Sequence, residues 1–465
     1  MLRKNLILTS LASLAVALVT TACNNSSSGP GLPDSLIRVV HAVSDAPRVN
    51  VFLNDDLVLE DFDFRHSSGF VGIRPGTYDV RVEAIIPGAD DLPVIVADDV
   101  TFLSQEKTTI YATGTTSPLA IAPLLVPTPI DDVMPGMARV GVVHASPAAQ
   151  AIVSTVTVFA TSPGLDISTA APLGSFAFGE TLGPVQVPAG DYQIRIAAGS
   201  GPDFTNADVV FDAGTVSLAD GADLQIAAVD STVTGASPVS LVVSDDAGGS
   251  DVFDIATGAD VRVVHNSPDA PAVDVVVNDD FAAPVLSGVT FTQFSDFLSP
   301  PIPPGTYNFK VVDTATQTVE ALNFDADLAA GTAYTVIAND LLANITEVVL
   351  IDDNRRVATE AKLRIVHGSP AAGPVDIYLL QPGVLPSDTG AVARFEGVEL
   401  GRETGFVSVA PGTYDIYVTP AGSPGVLAIP ATGTPVAANG IYTAIARDAV
   451  GGGAPLGLIL LDDFD

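Results

Sequence analysis

Four copies of one pattern constrain this chain more than any other feature. The stretch Arg262 to Asp279, R-V-V-H-N-S-P-D-A-P-A-V-D-V-V-V-N-D, has relatives that begin at Arg38, Gly141 and Arg364. Roughly 35 to 50 residues after each start comes a second shared signature: Pro75-Gly76-Thr77-Tyr78, Ala189-Gly190-Asp191-Tyr192, Pro304-Gly305-Thr306-Tyr307 and Pro411-Gly412-Thr413-Tyr414. The copies close on Asp131-Asp132, Asp245-Asp246, Asp352-Asp353 and Asp462-Asp463. A unit of about a hundred residues can bury its own core, so one plan has to fold four times within 465 residues.

Within a copy, apolar residues alternate with polar ones. Ile37, Val39 and His41 share one parity and Arg38 and Val40 the other, which describes a strand buried on one face or on both. Val49 to Leu53 repeats the alternation after the A-V-S-D-A-P turn, as do Val156 to Phe159, Val273 to Val277 and Val375 to Leu379. The middle of the copies carries Phe62 and Phe64, Phe176 and Phe178, Phe291 and Phe294, and Phe395 with Val398, read as aromatic core on two more strands. The Pro-Gly step, with the proline one place earlier at Pro188 in the second copy, predicts a type II turn with positive φ at Gly76, Gly190, Gly305 and Gly412. The tyrosine that follows is placed to bury its ring and bond its hydroxyl to nearby backbone.

Turn signals recur about every 8 to 12 residues, and no long amphipathic helix is visible. The 41 Gly and 35 Pro agree with that. The expectation is an all-β chain of four tandem antiparallel β-sandwich modules in a row, with a small barrel as the alternative module. Their bounds are 36–132, 137–246, 258–353 and 360–465, and the short linkers imply that neighbours touch.

The amino terminus reads as a processing segment over 1–22. Arg3 and Lys4 form a basic region, Leu6 to Val19 an apolar one too short to span a bilayer, and Thr20-Thr21-Ala22 precede Cys23, the one cysteine. The stretch T-T-A-C resembles the lipobox of bacterial lipoproteins, with Thr20 where that motif most often has Leu. The resemblance implies a lipid on Cys23 and a place in the cell envelope, at the outer membrane or cell surface, and the Asn, Ser, Gly and Pro composition that follows reads as a flexible tether over 23–35. A lone cysteine forms no internal disulfide, so the modules have to hold by packing.

Removing Arg3 and Lys4 leaves 17 basic against 54 acidic side chains. Nucleic acid is excluded as a partner, because counterion release needs clustered Lys and Arg. The acid excess reads as a solvated, self-repelling surface. Calcium bridging at the Asp-Asp pairs is the less favoured reading, since no spaced ligand loop of the D-x-[DN]-x-[DN]-G kind is present.

The starts V-V-H-x-S-P-x-A-P-x-V-D-V and the later P-P-G-T-Y-x-x-x-V resemble the bacterial and archaeal family called domain of unknown function 4397. The resemblance implies immunoglobulin-type sandwiches in tandem on exported and surface proteins, with no assigned activity. Val43-Ser44 in the first copy and the insert around Ala149 to Thr155 in the second depart from the pattern.

His41, His144, His265 and His367 recur at one position and invite a metal or catalytic reading. Their parity with core residues favours a structural ring bonded to the turn or to a carbonyl. A zinc site wants three or four ligands, and no G-x-S-x-G elbow is present. The expectation is therefore no catalytic residue, no metal and no cofactor. The chain reads as a lipid-anchored stalk or adhesion array with a surface protein or polysaccharide partner. The alternative is an exported ligand-binding protein or a hydrolase accessory protein.

Overall fold

The computed structural model describes residues 35–317 and 320–464. The leader, Cys23 and the tether as far as residue 34 lie outside them, and Ser35, expected as the last tether residue, is instead the buried first residue of a strand.

The first module shows the plan. Its strands are β1 (Ser35–His41), β2 (Val49–Leu53), β3 (Asp56–Phe62), β4 (Val71–Ile73), β5 (Gly76–Ala84), β6 (Leu92–Phe102), β7 (Glu106–Thr116) and β8 (Leu119–Pro129). They form two sheets of order β4-β1-β7-β8 and β3-β2-β5-β6. The inner faces meet over Ile37, Val39, Val51, Val80, Val82, Ile95, Phe102 and Ile110. The alternation read from the sequence thus becomes a two-layer core.

The other copies repeat this. Strands Met137–His144, Asp260–Asn266 and Ala361–His367 stand where β1 does, and Asp223–Asp230, Ala333–Asn339 and Ile441–Arg447 where β7 does. The sandwich expectation holds, with one refinement. The pair of β1 with β7, and each of its three counterparts, is parallel, while the other ladders are antiparallel. A parallel pair needs a long crossover, and here the whole second sheet is that crossover. The insert of the second copy is a short helix, α1 (Pro147–Ile152), whose Ser146 Oγ accepts from the Ala149 N–H at 3.0 Å.

The tyrosine corners are present in all four copies. Tyr78, Tyr192, Tyr307 and Tyr414 donate to the carbonyls of Arg74, Pro188, Pro303 and Ala410, four residues back, at 2.8 to 2.9 Å. The glycine expectation holds at two of the four positions and is corrected at the other two. Gly190 and Gly305 have the expected positive φ, at 151° and 155°, far from the value a type II turn takes at that position, whereas Gly76 and Gly412 lie outside the positive region. Each glycine opens a strand, and a Cβ on Gly76 or Gly305 would sit 3.6 Å from the ring of the tyrosine two residues on. That is ordinary contact distance, so at Gly190 and Gly305 it is the positive φ that disfavours a side chain. Tyr307→Phe is expected to cost about 1 kcal/mol in urea unfolding, the worth of one hydrogen bond.

Candidate functional site

The residue type that distinguishes the first strands is the arginine three places before the histidine. Because side chains alternate, Ile37 and Val39 enter the core while Arg38 and Val40 point out of the sandwich. Yet Arg38 is 2% exposed and Val40 0%. What covers them is the next module. Val40, Ala42, Tyr111 and Val126 of the first copy pack with Val143, Ala145, Ala227, Val229 and Val242 of the second in one apolar cluster. Val264, Ile337 and Leu350 of the third pack likewise with Val366, Ile445, Ile459 and Leu461 of the fourth. Modules one and two, and three and four, therefore meet sheet face to sheet face.

At the rim of these contacts the arginines repeat one arrangement. The Arg38 guanidinium lies 4.4 Å from the Phe70 ring centroid, donates to Thr109 Oγ1 from Nε and Nη2 (3.2 and 3.0 Å), and reaches the Asp245 carbonyl of the second module at 2.6 Å. Arg262 lies over Phe297, donates to Thr335 Oγ1 at 2.7 Å, and pairs with Asp462 of the fourth module at 2.6 Å. Arg364 lies over Phe406, donates to Thr443 Oγ1 at 3.2 Å, and pairs with Asp352 of the third module. The third and fourth modules thus exchange arginines, each held by the other's terminal aspartate. A planar guanidinium suits this place, since it stacks on an aromatic ring and bonds in its own plane at once.

The second copy has Gly141 where the others have arginine, and the Gln225 side chain fills the space a Cβ would need. Its cation is displaced to Arg139, which pairs with Asp131 of the first module at 3.0 Å. Lys107 of the first module returns the contact, bonding Asp223 and Asp246 at 3.1 and 2.9 Å. Further cations join the linkers: Arg65 meets Asp251, Lys362 meets Asp353, Arg356 meets Asp463, and Arg355 ties the linker of modules three and four to Asp63 and the Ala46 carbonyl of module one. Few as they are, the basic residues are concentrated at joints between units.

The Asp-Asp pairs, read from the sequence as turn residues, are in part that and in part more. Asp245 accepts from the Ala247 and Gly248 N–H groups, and Asp353 from that of Arg355, which is turn chemistry. Asp131, Asp246, Asp352, Asp353, Asp462 and Asp463 are counter-ions of the joint cations. A carboxylate already bonded to a guanidinium offers a metal ion less, and among the described residues no group of three His, Cys, Asp or Glu is placed to hold one.

The four histidines are 1% exposed. Each Nδ1 accepts the backbone N–H two residues on, from Val43, Ser146, Ser267 or Ser369, at 3.3 to 3.4 Å. Nε2 of His41 and His265 faces the Pro47 and Pro271 carbonyls at 3.1 and 3.0 Å, and that of His367 the Gly373 carbonyl. An acceptor Nδ1 and a donor Nε2–H define the neutral ring. Burial pushes all four pKa values down, that of His41 to about 4. Phe64, Phe178 and Phe291 stand edge-on to the rings of His41, His144 and His265. The structural reading holds for His41, His265 and His367, whose ring nitrogens are both bonded, whereas His144 keeps the Nδ1 bond and its buried Nε2 has no partner among the described residues.

The chain was compared with known proteins. A family model described as Domain of unknown function (DUF4397) matches residues 35–155, 153–252 and 259–378, together more than half of the chain. No curated protein matches it. Among the described residues no helix is long and apolar enough to cross a membrane.

Proposed function

We propose, for a chain that belongs to the family described as Domain of unknown function (DUF4397), the role of a lipid-anchored, non-catalytic array of sandwich modules at the cell surface, serving as a stalk or as a platform for a surface protein or polysaccharide. The observation that carries this reading is the use made of the basic residues. Arg38, Lys107, Arg139, Arg262 and Arg364 join module to module. In a chain of formal charge −35 the units would otherwise repel one another. Joining charges and apolar sheet faces stiffen an array, and a stiff array is what a stalk requires. The recurring histidines are occupied in holding their own turns.

The envelope address rests on the T-T-A-C stretch and the Asn- and Ser-rich segment after it. One acyl chain binds a membrane marginally and two or three bind it stably. Cys23→Ser should abolish metabolic labelling by palmitate and move the protein out of the membrane fraction. A wild-type chain that takes up no label would overturn the anchored reading.

A further inference from the structure

The fourth module differs from the others inside its core. The residue paired with the inward apolar position two before the histidine is Ile110 in the first module, opposite Val39; Ile226 in the second, opposite Val142; and Val336 in the third, opposite Val263. In the fourth it is Ala444, opposite Ile365. The residue paired with the corner tyrosine is Val100, Val216 or Ala326 in the first three, and Thr434 in the fourth. One inward position is thus cut back, to Ala444, and a second carries a hydroxyl, Thr434, at nearly the volume of valine. The consequence is a cavity of about 300 Å³ between its sheets, against about 30 Å³ in the core of the second module.

Its floor is Ile365, Ile416, Val418, Ile429 and Ala444, all buried. Its outer part is Ala431, Thr434, Pro435, Leu458, Leu460 and Asp463, of which Pro435, Leu460 and Asp463 are exposed. The cavity therefore opens between the edge strands Ile429–Val436 and Gly457–Asp462, the side on which β6 and β8 close against each other in the first module. Phe464 walls one end, its ring edge-on to Tyr442 at 4.9 Å. The space is roughly twice an apolar cavity of about 150 Å³ that stays dry and takes benzene, and it reaches the lower range of ligand pockets.

We infer that the fourth module binds a small, uncharged aliphatic molecule, an alkyl chain with at most a hydroxyl head, in this slot. The lining fixes the class. Aliphatic side chains from two facing sheets bound a flat space that suits an extended chain, and the polar atoms lie on the outer part, at Thr434 and Asp463. A charged head finds no free partner there. The Asp463 carboxylate is already bonded by Arg356 and by the Ile441 N–H, and the formal charge of −35 repels an anion. The site does not depend on the array reading.

The probe is 1-octanol, titrated into the full chain with labelled Ile, Leu and Val methyl groups. Saturable shifts confined to the methyls of Ile365, Ile416, Val418, Ile429, Leu458 and Leu460 are expected, with a saturable rise in the unfolding midpoint. Ala444→Ile, which restores the side chain of the first two modules, should weaken octanol binding at least tenfold. Shifts spread over all four modules, no saturable shift, or binding unchanged in Ala444→Ile would each overturn the proposal. Should Ala444→Ile fail to fold, the confinement of the wild-type shifts decides alone.

Discussion

Asp352→Ala should destabilise the joint of the third and fourth modules by about 3–5 kcal/mol, the cost of removing one partner from a buried ion pair. The Asp352 side chain is 1% exposed and meets Arg364, whose side chain is 0% exposed, and Arg262 at 3.4 Å. It also accepts the Thr335 hydroxyl at 2.5 Å. Without it Arg364 keeps only the Ile351 carbonyl at 3.2 Å, the Thr443 hydroxyl and Glu403 at 3.7 Å. Urea unfolding of the full chain measures the loss, and Asp132→Ala, at an exposed position of the first Asp pair, should leave the midpoint within about 0.5 kcal/mol. Replacing Asp352, Arg262, Arg364 and Asp462 together by apolar residues of similar size should recover most of the stability, because the loss comes from a stranded charge and Asp462 would be stranded without Arg262. A cost below about 1 kcal/mol for Asp352→Ala would show that the arginines do not depend on this carboxylate.

The same residues show what can be read from one chain without coordinates. The strand of Ile37 and Val39 was legible because one parity is apolar, and the tyrosine corner because its signature recurs four times. Burial of His41 followed from that parity. The outward face was half legible: Val40, Val143, Val264 and Val366 are apolar where a solvated sheet face would be polar, which admits a strand covered on both sides. What covers it was not legible, since Arg262 and Asp462 lie 200 residues apart and nothing local marks them as partners. The signal was the recurrence of Arg38, Arg262 and Arg364 at one place, in a chain with so few cations. Conversely, the Pro-Gly step misled at Gly76 and Gly412, which open their strands outside the positive-φ region, while Gly305 after the same step has positive φ.

Acidification from pH 7 to 5 should destabilise the modules before it touches the ion pairs. The folded state holds His41 neutral, with a pKa near 4 against an ordinary value of 6.5, through burial above all. The unfolded chain therefore binds more protons between those two values, and stability rises with pH wherever the unfolded state binds more. Read downward, stability conferred by the neutral ring is complete above about pH 6.5 and is lost progressively until about pH 4. At 1.36 kcal/mol per unit the loss for His41 is about 2 kcal/mol by pH 5 and about 3 kcal/mol by pH 4. His144, His265 and His367 are shifted in the same direction and add to it. An opposing effect exists, because protonating carboxylates relieves the self-repulsion of a chain with 54 acidic residues. Ordinary carboxylates titrate near pH 4, so above pH 5 most stay charged and the histidines dominate. Urea midpoints at pH 7, 6, 5 and 4, at matched ionic strength, test this. A midpoint that holds steady or climbs from pH 7 to 5 would mean that the rings take up protons in place, and that the carbonyls of Pro47, Pro271 and Gly373 receive bonds from charged imidazoles.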